Sequence, residues 1–121
     1  MINAILASDR YKHFLQTIIR NNELWTLIDN EGNFALFEVN NAIVFSLWPD
    51  DASIESNLTP DWADYIPFKI DFNALEETVL PIIRLNNYII NIYPVEGRIG
   101  YVVSLNDFIT DLNTNLKDNA I

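Results

Sequence analysis

Residues 23–48, E-L-W-T-L-I-D-N-E-G-N-F-A-L-F-E-V-N-N-A-I-V-F-S-L-W, decide the fold class. Over 23–29, Leu24, Thr26 and Ile28 alternate with Trp25 and Leu27, the period-two pattern of a strand with both faces available for burial. Asn30-Glu31-Gly32-Asn33 is a turn in which Gly32 supplies positive φ. A second strand runs over 34–39. Asn40-Asn41 then reads as a two-residue hairpin turn, because Asn tolerates the left-handed region. The strongly apolar 42–48 is a third strand. Short turns joining three strands predict an antiparallel meander.

Outward from this stretch the pattern changes to helical. Upstream, Tyr11, Phe14, Leu15 and Ile18 fall on one stripe of a helix that Ser8 is placed to cap, with Asp9 in its first turn and Asn21-Asn22 at its end. Downstream, Pro49 stops the third strand and Asp50 caps a short helix over 51–57. Thr59-Pro60-Asp61 breaks the chain before a helical turn over 61–65 and a strand over 66–70. Asp71 caps the next helix, with Ile70 and Leu75 as its staple. Phe72, Leu75, Val79 and Ile82 supply its buried stripe, and Pro81 kinks it or ends its regular part near Leu80. A strand over 88–93, a turn at 94–97 and a strand over 98–103 follow. Ser104 caps a last helix whose apolar face is Leu105, Phe108, Ile109, Leu112 and Leu116. The layout predicts an α+β fold, a mainly antiparallel sheet with three main helices packed on it.

The bulk properties set limits. A chain of 121 residues that is half apolar predicts one globular domain, residues 1–121, with a proper core. Its formal net charge is −10, from 17 acidic against 7 basic residues. That balance argues against nucleic acid and anionic membrane as partners, since both call for a basic face. With no cysteine, disulfides, thiolate metal sites and Cys nucleophiles are excluded. The N-terminus has no basic region of a signal peptide, and no apolar run is long enough to span a bilayer, so the expected location is the cytoplasm.

Residues 48–65, W-P-D-D-A-S-I-E-S-N-L-T-P-D-W-A-D-Y, stand out chemically. They gather Asp50, Asp51, Glu55, Asp61 and Asp64 around Trp48, Trp62 and Tyr65, and nothing basic occurs between Arg20 and Lys69. Trp25 reads as core and Trp48 as core or rim. Trp62 and Tyr65, in a segment bounded by prolines, read as exposed anchors. Trp and Tyr are enriched among interface hot spots, and carboxylates steer the approach of a basic partner.

A catalytic kit is not apparent. The pairs Asp50-Asp51 and Glu76-Glu77 are sequence neighbours, which do not share a helix face, and read as solvated. The lone histidine, His13, lies off its helix's apolar stripe with no nucleophile elbow beside it. No calcium-loop or phosphate-cradling pattern is present, so no metal and no cofactor is expected.

Several stretches together resemble the small bacterial proteins of domain-of-unknown-function family 2750. They are R-Y-K-H-F-L-Q-T-I-I, E-L-W-T-L-I-D-N-E-G, F-S-L-W-P-D-D-A, F-K-I-D-F-N-A-L-E-E-T-V-L-P-I-I and I-I-N-I-Y-P, spanning roughly residues 10–94. Trp25, Trp48, Ala52, Leu80 and Pro81 occupy the family's characteristic places. Where the family has Phe-Trp-Ser-Ser, this chain has Leu47-Trp48-Pro49-Asp50. The resemblance implies the α+β arrangement and a bacterial source, and implies no active site.

The expectation from the sequence is a non-catalytic acidic binding protein. Its concrete form is a bacterial immunity protein that neutralises a basic toxin, a nuclease domain, through Trp48, Asp50, Asp51, Glu55, Asp61, Trp62, Asp64 and Tyr65. The alternative is a small structural or regulatory domain that binds a small ligand in an apolar pocket. Strand order and oligomeric state are not read from the sequence.

Overall fold

The computed structural model describes residues 6–57, 60–95 and 98–118, with the backbone alone at Asn57, Asp61 and Asp118. Helix α1 (Ala7–Asn21) begins one residue before the expected cap. Leu6 is its N-cap and makes no side-chain cap bond, so Ser8 lies inside the first turn and does not cap it. Asn22 closes the helix in the left-handed conformation at φ 58°, a position that asparagine tolerates better than most residues.

Among the described residues six strands form two sheets. Strand β1 (Glu23–Ile28) pairs antiparallel with β4 (Ile66–Asp71). The other four lie in the order β2 (Leu36–Val39), β3 (Ala42–Leu47), β5 (Ile89–Ile92), β6 (Tyr101–Val103). The fold is α+β and mostly antiparallel, with β3 and β5 as the one parallel pair among the described strands. The β2–β3 hairpin turns on Asn40 and Asn41, both with positive φ at 51° and 68°. This is the doubly left-handed turn whose twist matches paired strands.

The meander stops at that hairpin. β1 forms no ladder with β2: it meets the residues just before β2, at the bridge Ile28–Phe34 and through the bond from Ala35 N to Leu27 O at 2.9 Å. The turn between them is tight, with the Asp29 carboxylate accepting from the N–H groups of Glu31 and Asn33 at 2.9 Å each. Beyond it the Phe34 ring packs against Phe45 and Phe68, and the pairing with β1 does not continue into β2. β1 takes β4 as its ladder partner instead. The two sheets are stitched where Trp25 and Trp48 exchange backbone hydrogen bonds at 2.9 and 2.8 Å. Trp25, expected in the core, is only half-buried, and its indole N–H donates to Glu23.

After β4 the chain runs through α3 (Phe72–Ala74), a π-helical segment Leu75–Val79, and α4 (Leu80–Asn86) without a break. Asp71 caps it, accepting from Ala74 N at 2.7 Å. Pro81 follows directly on the widened π turn, which relieves the usual clash of the proline ring with the preceding turn. The wide turn also shifts the helix phase. Leu75, Val79 and Ile83 become the buried residues, and the expected Ile82 is half-buried.

Helix α5 (Leu105–Asp118) is capped by Ser104, whose Oγ accepts from Asp107 N at 3.1 Å. It packs on α1 through Phe14 and Phe108, both fully buried. β6 begins later than expected, after Gly100. A Cβ at Gly100 would meet Ile92 O at 2.0 Å, so the close backbone approach there admits only glycine. Glu96 and Gly97, expected in the preceding turn, lie outside the described residues.

Side chains from α1, both sheets, α2 (Asp51–Asn57), the π segment, α4 and α5 meet in a single apolar cluster. Polar groups inside it are bonded: Arg10 Nε donates to Tyr93 O, and Thr26 Oγ1 to Ser46 O at 2.8 Å. Among the described residues no helix is long and apolar enough to cross a membrane.

Candidate functional site

The acidic segment grows directly out of the core. Trp48, following β3, is 5 % exposed, and its indole N–H donates to Pro94 O at 2.9 Å. It contributes little surface of its own. Pro49 is buried beside it and ends the ladder. Asp50 then accepts from Ser53 N at 2.7 Å, capping α2. The helix is pinned by Ile54, 1 % exposed, and by the bond from Ser53 Oγ to the Tyr93 hydroxyl at 3.0 Å.

Asp51 and Glu55 are exposed and stand four residues apart, so they share one side of this helix. Like charges at that spacing destabilise a helix by about 0.2–0.5 kcal/mol. No basic residue in the helix relieves them. Asp64 is exposed as well. The side chain of Asp61 lies outside the described residues.

A single 3-10 turn, Pro60–Trp62, redirects the chain toward β4. Trp62 folds back over Trp48, with ring centroids 6.1 Å apart and planes at 87°. It also meets Phe37 of β2 at 5.5 Å and 76°, and Tyr65 at 5.9 Å and 50°. Trp62 and Tyr65 are half-buried. They are therefore neither free surface groups nor core plugs.

Between the turn and β2 opens a cavity of about 330 Å³ lined by Ala35, Leu36, Phe37, Trp62 and Tyr65. Next to it the apolar surface continues. Leu36 is 39 % exposed, Ile66 56 % and Phe68 40 %. Ile66 pairs with Ile28, which bridges to Phe34, and Phe34 touches Phe68. Reading the sequence missed Phe37, Leu36, Ile66 and Phe68. Strand alternation puts Ile66 and Phe68 on one face, but it does not show that β2 brings Leu36 and Phe37 beside Trp62 or that Phe68 meets Phe34.

His13, the only histidine, is exposed on α1. Its Nε2 lies 3.4 Å from Thr17 Oγ1, and its ring is 6.1 Å from that of Tyr93. Among the described residues no group of three His, Cys, Asp or Glu side chains is disposed to hold a metal ion.

The chain belongs to the DUF2750 family of proteins of unknown function, matched over residues 11–112. Among curated proteins none matches the chain.

Proposed function

We propose that the protein is a non-catalytic binding protein that meets a basic protein partner through the face built by residues 48–65. Its concrete form is a bacterial immunity protein of the cytoplasm that blocks a cytotoxic nuclease domain. One observation carries the reading. Exposed carboxylates of Asp51, Glu55 and Asp64 occur with half-covered rings of Trp62 and Tyr65 in a segment that holds no basic residue between Arg20 and Lys69. Interfaces combine aromatic anchors with a polar rim in this way. A nuclease needs a positive cleft for its substrate, and an acidic face matches that cleft in charge.

Within this reading Trp48 and Asp50 support the face from below, one as packing and the other as the α2 cap. Asp51, Glu55 and Asp64 orient the approach. The protein performs no chemical step and takes no cofactor.

The test is genetic and biochemical. The product of the reading frame immediately upstream is expected to be a basic toxin. Its toxic domain, purified with this protein, should elute as a complex in size-exclusion chromatography, and co-expression should restore growth. Separate elution and no rescue would contradict the proposal. So would hydrolase, nuclease or transferase activity of the protein that His13→Ala abolishes with the fold intact.

The cavity beside Trp62 favours a second reading, a small apolar ligand bound there. Its volume of about 330 Å³ lies at the low end of ligand pockets. Such binding would be insensitive to salt, because the described lining residues are uncharged.

A further inference from the structure

We propose that the cavity beside Trp62 is the seat of one arginine side chain of the basic partner. The guanidinium lies against the rings of Phe37, Trp62 and Tyr65, and the aliphatic stem runs along Ala35 and Leu36. This rests on the binding role proposed for the face and adds the chemistry of its occupant.

The walls are the first argument. Among the described lining residues Phe37, Trp62 and Tyr65 are aromatic. Their planes are inclined to one another, at 76° between Phe37 and Trp62 and 50° between Trp62 and Tyr65. Rings set at angles around a common space form the aromatic box that attracts cations through the ring quadrupole. Size is the second. About 330 Å³ accepts one long side chain, not a helix or a strand.

Charge decides between a cationic and an apolar occupant. Asp64 is exposed and lies between two of the box residues in sequence, Trp62 and Tyr65. Asp51 and Glu55 project from the helix that follows Trp48, on which Trp62 rests. The whole chain carries −10. An apolar side chain gains nothing from those carboxylates, whereas a cation is drawn in by both rings and acids. Arginine fits better than lysine, because its planar, weakly hydrated guanidinium stacks on aromatic faces.

The test uses the whole protein and two probes, N-acetyl-arginine amide and its neutral isostere N-acetyl-citrulline amide. The readout is the indole N–H resonance of Trp62, assigned by its loss in Trp62→Phe. The arginine probe should shift this resonance with a dissociation constant on the order of 10 mM. The citrulline probe should bind about fivefold more weakly or worse. Phe37→Leu, which keeps the lining apolar but removes a ring, should weaken the arginine probe and leave the melting temperature nearly unchanged. Equal binding of both probes would overturn the proposal in favour of an apolar pocket. An unmoved Trp62 resonance would overturn it too. If an octalysine peptide then still shifts the backbone amides of Asp51 and Glu55, the acidic face survives and only the arginine seat falls. If the peptide also leaves those amides unmoved, the reading of the face falls with it.

Discussion

The layer formed by α1 and α5 and the segment 48–65 spend their polar groups in opposite ways. In the helical layer several of these groups are turned inward. Tyr11 donates to Asp111 Oδ2 at 2.7 Å and stacks on Tyr101 at 4.4 Å, and Arg10, only 2 % exposed, donates to Tyr93 O. In the acidic segment Asp50 alone among the described carboxylates makes a cap, while Asp51, Glu55 and Asp64 face outward. The first region uses charge to fix the fold. The second displays charge at a local cost and leaves Trp62 and Tyr65 half-covered, a combination that suits contact with a partner.

The largest expected effect falls on the helical layer. Phe108→Ala removes a fully buried ring between α1 and α5 and should lower stability by about 3–5 kcal/mol. Once the loss is corrected for the unfolded fraction, affinity for a partner should be unchanged. Chemical denaturation and binding on the same variant check both halves.

Trp62→Ala reverses the emphasis. A hot-spot aromatic typically contributes about 2 kcal/mol or more to binding. Affinity should therefore fall roughly 30-fold or more. Because Trp62 is half-buried against Trp48 and Phe37, some stability is lost as well, and Trp62→Phe separates the two effects. A Trp62→Ala protein that loses as much stability as Phe108→Ala and no affinity would erase the contrast between the regions.

A smaller effect belongs to Tyr11. Burial, and then its bond to Asp111, push its hydroxyl well above the ordinary phenol range. A raised folded value means that the native state holds the proton more tightly. Its contribution is fully present below the unfolded value of about 10 and is lost as pH rises through the folded value. Tyr11→Phe should cost about 1 kcal/mol at neutral pH and should flatten the alkaline fall in melting temperature.

The smallest change in stability is expected from Asp51→Asn with Glu55→Gln. Removing the unrelieved repulsion should leave the fold intact and stabilise it by a few tenths of a kcal/mol. Association with a basic partner should slow.

The same contrast explains what was legible in the sequence. Caps at Asp50, Asp71 and Ser104, and the turn at Asn40-Asn41, depend on chemistry within four residues, and all appear where the sequence places them. Pairing of β1 with β4 and of β3 with β5 joins distant segments, and nothing local encodes it. The phase of the helix around Pro81 was hidden because nothing in the apolar spacing marks the π turn that precedes the proline. For the candidate site, composition showed the acids and aromatics of 48–65. The wall that Phe37 and Leu36 add comes from a different strand, and only the tertiary arrangement reveals it.

Under the proposed function this acidic face draws in a basic partner. The most direct measurement is the association rate with the upstream-encoded toxic domain as ionic strength rises from about 50 to about 500 mM, a range over which surface charges become screened. The rate should fall about tenfold or more while dissociation changes little, and Asp51→Asn with Glu55→Gln should flatten the slope. An association rate that is flat across that range, or a double variant with the wild-type slope, would contradict the account.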